Sequence, residues 1–504
     1  MNSFVNGLVN ATNFTRTANG AVAHKTTCSK VYDLFAVGGA YRRRSDEDCI
    51  LLFKNAYEED PVLALKCLFY LRDCRGGQGE RRFFRLCFKW LCLNDPKAAI
   101  RNLDNLSEYG RWDDLWVATY GTPVFLNAQE KIKSQLMVDM SCKTPSLLAK
   151  WLPSENASSK ETKQMAGEIR EYLKITHKEY RKMLSKLRTN INIVEKLMSE
   201  NRWDEIQFDK IPSKAGLVYR NAFARRDIIA KKYEKFVKSE DTKVNAKTLY
   251  PYEIVAQATK GCSHWDYDFS HISEVERLAL QKAWENQKDY FGGVKKNILG
   301  MIDTSGSMTC GSGVNKPIHY AIGLGLYAAN YNSGPFKDVF MTFSSEPQLL
   351  KFEGVDFVDK VQRVYKQNLC DNTDLVKAMR LLLKVAMHSN PEDVPDTLVV
   401  ISDMQIDAGC MNYSRGRGYG WYGSQHNMTE MEAVRKEWEA AGLEMPHIVY
   451  WNVNASQNTI LDNSYGVTCV SGASPVLFEQ ILSGVTGYDL MLKKLMSERY
   501  AAVK

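Results

Sequence analysis

The stretch Asn297-Ile298-Leu299-Gly300-Met301-Ile302-Asp303-Thr304-Ser305-Gly306-Ser307 decides how this chain is read. Ile298 to Ile302 is an apolar run of strand length, and it stops at an aspartate followed by small hydroxyl residues. A strand ending this way delivers hard oxygen donors to one point above a sheet, as a small hard cation such as Mg2+ demands. Distant partners are present. Asn372-Thr373-Asp374 opens a helical stretch, and Asp403 closes the strand-like run Thr397 to Ser402. Three loops at the carboxyl ends of three strands are then expected to converge. The ordinary reading of DTSGS is a strand-to-helix turn with Ser305 or Ser307 as the N-cap. That explains one loop but not three.

The pattern D-x-S-x-S, a later Thr and a later Asp resembles the metal-ion-dependent adhesion site (MIDAS) of von Willebrand factor A domains. The resemblance implies that Ser305, Ser307 and Thr373 contact the metal directly or through water. It implies that Asp303 and Asp403 hold it mostly through water. The expected cofactor is Mg2+ or another divalent cation such as Mn2+ or Ca2+.

The rest of the C-terminal third alternates between strand and helix. Helices are expected over Ile318–Ala329, Leu375–Met387, Thr429–Ala441 and Pro475–Leu482. Strands are expected over Asp338–Phe343, Thr397–Ser402, Pro446–Val453 and Gly466–Val470. Such alternation implies a doubly wound, Rossmann-like α/β domain, in which ligands bind outside the carboxyl ends of the strands. The small residues Ala321, Gly323, Gly325 and Ala328 suit close packing of a helix on that sheet.

At 504 residues the chain exceeds one domain. The expected division is a helical-repeat (HEAT-like) region over residues 1–290 and an A-type domain over residues 291–504. In the first part, Asp60–Leu71, Arg81–Leu93 and Glu168–Leu197 show apolar residues at three- and four-residue spacing. Charge separates the same way. Residues 1–296 hold 49 Lys+Arg against 37 Asp+Glu, net +12, and residues 297–504 hold 17 against 22, net −5. The excess concentrates between Lys160 and Lys247, with 22 basic and 13 acidic residues.

A cationic region of this kind points to a polyanion partner. Arg42, Arg43, Arg44, Arg181, Lys182, Arg188, Lys214, Arg225 and Arg226 are the candidates for RNA contact, chosen on charge alone. Tyr180, Tyr219, Phe223 and Tyr233 lie among the basic residues and would suit stacking on unpaired bases, whereas core packing is the ordinary role for such rings.

A helical-repeat region followed by an A-type domain resembles the architecture of the Ro autoantigen ribonucleoproteins, the TROVE family. LRDCRGGQGERRFF (Leu71 to Phe84), YGRWDDLW (Tyr109 to Trp116) and LLAKWLPSE (Leu147 to Glu155) are closer to an uncharacterised family of plants, protists, bacteria and viruses with the same two-part layout. What the kinship implies is binding of small structured RNAs or single-stranded RNA ends by the helical part, with the A-type domain bracing the fold or recruiting partners. It also implies contact between the terminal module and the first helices. The opposing reading is a metal-dependent scaffold that takes an acidic protein partner at the cation, or a viral structural protein without RNA function.

Enzymatic readings find little support. Arg75-Gly76-Gly77-Gln78-Gly79-Glu80-Arg81 lacks the Lys-Ser/Thr ending and the preceding strand of a phosphate-binding loop. His264 and His271 have no third ligand at informative spacing. The Gly-, Tyr- and Arg-rich run Gly409 to Asn427 is expected to be a surface loop, with Arg415 and Arg417 beside Tyr419, Trp421 and Tyr422 as a further nucleic-acid candidate. Residues 1–10 lack a secretory pattern, no run of about 18 apolar residues occurs, and the 12 cysteines include no C-x-x-C pair. A cytoplasmic protein with reduced thiols and no membrane segment is expected, of unknown oligomeric state.

Overall fold

The computed structural model describes residues 12–118, 121–191, 193–241, 244–262, 268–311, 316–343, 346–352, 355–366, 374–406, 430–457, 459–461 and 467–504. The chain forms two compact units. One combines residues 1–67 with 246–497, and the other combines residues 68–245 with 498–504. Each compact unit is thus assembled from more than one stretch of chain. The cause is long-range packing of both flanking segments on the α/β sheet, which no local pattern announces.

In the first unit, β1 (Phe14–Arg16) and β2 (Val22–His24) make an antiparallel hairpin. The main sheet has six strands: β3 (Ile298–Asp303), β4 (Val339–Phe343), β5 (Gln348–Lys351), β6 (Thr397–Ser402), β7 (His447–Asn452) and β8 (Val467–Ser471). Their spatial order is β5-β4-β3-β6-β7-β8. All neighbours are parallel except β4 and β5. Every residue of β3 and β6 is buried, as parallel strands covered on both faces require.

The order is that of a doubly wound sheet, and the winding reverses between β3 and β6. Those two strands pair with Ile302 beside Ile401. Asp303 and Asp403 thus stand at neighbouring strand ends, at the crevice where the connections diverge. The expected strands and helices of this third are present within a few residues. The edge strand β5 and the helix Phe357–Tyr365 are additions. β5 is four residues long and half-exposed, so it lacks the apolar run that marked the others.

The flanking segments are built into this unit by specific contacts. The helix Pro251–Ala258 lies on Pro317–Tyr331, with the rings of Tyr252 and Tyr320 4.2 Å apart. Gly323 makes the approach possible, since a Cβ there would stand 2.6 Å from Tyr252 N. The helix Glu274–Glu285 packs on Phe357–Tyr365 through Trp284 stacked on Phe357 at 4.5 Å. Arg277 spans Asp356 at 2.7 Å and Asp359 at 2.5 Å across the same contact. The helix Lys30–Val37 is capped by Ser29 and holds β8: the hydroxyl of Tyr32 accepts from Cys469 N at 3.0 Å, and Ser471 Oγ donates to Phe35 O at 3.2 Å.

The second unit is helical. Arg81–Asn94, Phe125–Ser141, Lys160–Leu173, His177–Ile191, Ser213–Arg225 and Asp227–Lys238 are its longer helices. The apolar stripe read over Glu168–Leu197 is three helices, broken where Lys174 takes a left-handed conformation. Phe69, Phe84, Phe88 and Tyr109 make one aromatic core, and Phe208, Phe223, Tyr233 and Phe236 make another. The turn after Arg72 is fixed by buried charge: Arg72 Nε and Arg85 Nε reach the two oxygens of Asp114 at 2.8 and 2.7 Å. The last seven residues return to this unit. Tyr500 is fully buried against Tyr109 and Tyr70, and Arg499 Nη2 donates to Asp73 Oδ1 at 2.7 Å.

Among the described residues no helix is long and apolar enough to cross a membrane. The ten cysteines among them are free thiols.

Candidate metal centre and charged helical surface

β3 ends in Asp303, and the short helix Gly306–Thr309 follows at once. Ser305 occupies its N-cap position, yet its side chain makes no capping bond. Instead Ser305 Oγ lies 3.1 Å from Ser307 Oγ. Ser305 N donates to Asp303 Oδ1 at 2.8 Å, and Ser402 Oγ donates to Asp303 Oδ2 at 2.5 Å. From the neighbouring strand, Asp403 accepts a hydrogen bond from the Ser307 hydroxyl. Gln405 N and Nε2 also donate to Asp403, at 3.3 and 2.9 Å.

Asp303, Ser305, Ser307 and Asp403 are thus linked by hydrogen bonds at neighbouring strand ends. Thr373 lies outside the described residues. Its neighbour Asp374 caps the helix Leu375–Ala386 by accepting from Lys377 N at 2.8 Å. Sequence reasoning missed Ser402 and Gln405, which orient the two carboxylates. The signal for Ser402 was present in the strand register that sets it beside Asp303.

The electrostatics of the cluster are strained. Asp303 is 0% exposed and Asp403 2%. Burial, and then the nearby Asp303 carboxylate, push Asp403 up to about 7. Two buried carboxylates with hydroxyls between them suit a hard cation, which would neutralise the pair and take oxygen donors only. The donor set contains no thiol or imidazole, so a zinc-type site does not fit it.

The proposed RNA contacts distribute differently. Arg42, Arg43 and Arg44 belong to the α/β unit, where each donates to a main-chain carbonyl: Val453 at 3.0 Å, Cys310 at 2.8 Å and Ser456. Arg42 also stacks on Tyr320, 4.1 Å from the ring centre. All three thus anchor loops of this unit. Arg188 is similarly engaged, donating to Ala149 O, Leu152 O and Ser154 Oγ at 2.8, 2.8 and 3.0 Å. Arg226 lies 4.3 Å over the Trp203 ring. Arg181 and Lys182 are exposed on the helix His177–Ile191, together with Lys178 and Lys186. Lys214 and Arg225 are exposed on Ser213–Arg225.

Three of the four aromatic residues fill the core. Tyr180, Phe223 and Tyr233 are buried, and Tyr219, half-buried, sits edge-on to Phe223 at 6.3 Å. The three buried rings are not stacking platforms, because helix packing turns them inward and the lysine-bearing face outward. Charge follows the compact units: the helical one holds 36 Lys+Arg against 24 Asp+Glu, net +12, and the α/β one holds 30 against 35, net −5. Residues 409–427, 264 and 265–267 lie outside the described residues, so the Arg-Gly-Tyr run and the first histidine of the pair have no placement. His271 bonds to the carbonyls of Lys260 and Asp268 at 3.1 Å each, a structural role.

Comparison with known proteins gives the following. The family described as domain of unknown function DUF7788 matches residues 297–497. An uncharacterized protein, L728, of Acanthamoeba polyphaga mimivirus is 28% identical over 516 residues, spanning 94% of this chain and 85% of that protein. The crystal structure of the Deinococcus radiodurans RO (RSR) protein overlaps at a TM-score of 0.39 with 13% identity, covering 95% of this chain and 100% of that one. The family described as domain of unknown function DUF2828 matches residues 17–118 and 137–290, about half of the chain. The chain belongs to the DUF2828 family.

Proposed function

We propose that this is a non-enzymatic binding protein with two working surfaces. The first is a cation site in an α/β unit of the von Willebrand A type, where Asp303, Ser305, Ser307 and Asp403, with Thr373, hold Mg2+ or a similar divalent ion. The second is the cationic face of a HEAT-like helical unit, which holds RNA by its phosphates. The observation that carries the reading is the convergence of four oxygen-bearing side chains at the switch point of the sheet. The bound ion would neutralise two buried carboxylates and leave coordination positions for water or a partner's oxygen.

The RNA part is supported by the segregation of charge, +12 against −5. With three of the four candidate rings buried, recognition would rest mainly on phosphate contacts and the shape of the RNA rather than on stacked bases. The same burial favours a second reading, an acidic protein partner, since lysines at a surface read charge in either polymer.

Binding of a hairpin RNA with a single-stranded tail, measured across a salt series, separates the two. The expected result is affinity that falls linearly on a log–log plot with salt, and a shallower slope for Arg181→Glu with Lys182→Glu. An unchanged slope in that variant means the surface has been misplaced. An absence of RNA binding, with capture of an acidic polypeptide instead, selects the second reading.

A further inference from the structure

Residues 12–44 contain none of the metal-ligand pattern, yet they bond at or beyond the ends of β3, β6, β7 and β8, the first two of which carry it. Arg43 Nη2 donates to Cys310 O at 2.8 Å, at the end of the DTSGS loop. A Cβ at the next residue, Gly311, would stand 1.9 Å from the same Nη2, so the tip of the guanidinium is pressed against that loop. Ala455 N, after β7, donates to Ala40 O at 3.0 Å, and Gly39 N donates to Ser471 Oγ, at the end of β8, at 2.9 Å. The loop after β6 is held by the β1–β2 turn: Thr17 Oγ1 donates to Ile406 O at 2.6 Å, and Asn19 Nδ2 donates to Gln405 O at 2.7 Å. Thr17 Oγ1 is itself fixed by accepting from Ala21 N at 3.0 Å.

The loop after β6 needs holding. Met404, directly after Asp403, has φ +62, a left-handed conformation that costs a side-chain-bearing residue roughly 1–2 kcal/mol and persists only when neighbours over-determine it. Its amide donates to Ser402 Oγ at 2.9 Å, and that hydroxyl in turn donates to Asp303. Gln405 donates to both oxygens of Asp403. A continuous series of bonds therefore runs from the hairpin, through residues 404–406, to both carboxylates.

We propose that the β1–β2 hairpin is a positioning strap for the cation site. Thr17 and Asn19 hold the Met404–Ile406 loop in its strained form, so that Gln405 and Ser402 aim Asp403 and Asp303 at a divalent ion. The strap explains why a segment nearly 400 residues away in sequence is built into this unit, and it rests on the cation reading above.

Mn2+ titrated into the full chain, followed by the electron-paramagnetic signal of the free ion, tests it, with melting of the metal-free protein recorded beside it. Thr17→Val combined with Asn19→Ala is expected to weaken Mn2+ binding about tenfold or more, as loss of partners that orient metal ligands generally does. Thr17→Ser, which keeps the hydroxyl, is expected to bind as the parent does. Asn19 is exposed, so Asn19→Ala alone folds and is expected to show a smaller loss in the same direction. Parental affinity in the double variant or in Asn19→Ala overturns the strap, and so does a loss that Thr17→Ser shares. If instead the parent binds no Mn2+, or Asp303→Ala binds it as the parent does, the cation reading itself falls, a result that involves no strap residue.

Discussion

At the scale of a single residue, Asp403 carries the electrostatic cost of the cluster. Its carboxyl is pushed up to about 7 by burial and by Asp303, a cost to the fold that the neighbouring hydroxyl and amide donors offset only in part. Removing the charge should relieve the metal-free protein: Asp403→Asn is expected to melt no lower than the parent in chelator, and to lose the rise in melting temperature that Mg2+ gives the parent. Thermal unfolding with and without Mg2+ checks this, and a variant that melts far lower in chelator contradicts it. Asp303, Ser305, Ser307 and Asp403 were legible in the sequence because strand, turn and hydroxyl spacing all belong to short stretches. The carbonyl partners of Arg42, Arg43 and Arg44 were not legible. They lie more than 260 residues away, and a count of charges cannot tell an anchored guanidinium from a free one.

At the scale of elements, close packing of helices against the sheet sets the geometry of the strand ends. Gly323 faces the backbone of Tyr252, and Gly325 faces Ile302, where a Cβ would stand 2.2 Å from Cδ1. Gly323→Ala forces backbone apart rather than a flexible side chain, so a loss of about 1–3 kcal/mol is expected, measured by denaturant unfolding. A neutral result would mean that the helices Pro251–Ala258 and Pro317–Tyr331 do not meet as described. The glycines of that helix were readable as packing residues, and the buried parallel strands were readable as apolar runs. β5 was not: its residues alternate between half-buried and exposed at the edge of the sheet, and four such residues resemble a loop. The rings at Tyr180, Phe223 and Tyr233 were visible, but their inward direction follows from helix pairing, which only the fold reveals.

At the scale of the whole molecule, the chain crosses between its units more than once. Residues 1–67 join the α/β unit, the next 178 form the helical one, and the last seven return to it. Local patterning cannot show such exchanges, because what drives them is burial of residues remote in sequence. Tyr500 is the clearest case: it is fully buried, it donates to Asp73 Oδ2 at 3.1 Å, and it stacks on Tyr109 with ring centres 5.5 Å apart. Tyr500→Ala is expected to cost about 3–5 kcal/mol, read as a lower unfolding midpoint of the helical unit. A change under about 1 kcal/mol, the size of an ordinary surface substitution, would show that the tail is dispensable. The uneven charge along the chain was legible from composition, but its assignment to these two units, +12 and −5, needed their boundaries.

The central claim is that one divalent ion sits among Asp303, Ser305, Ser307 and Asp403, and anomalous diffraction from a crystal soaked in Mn2+ tests it most directly. The account predicts a single strong peak about 2 Å from Ser305 Oγ and Ser307 Oγ, absent from Asp303→Ala crystals grown the same way. A well-ordered cluster with no peak, or a peak that survives in Asp303→Ala, contradicts it.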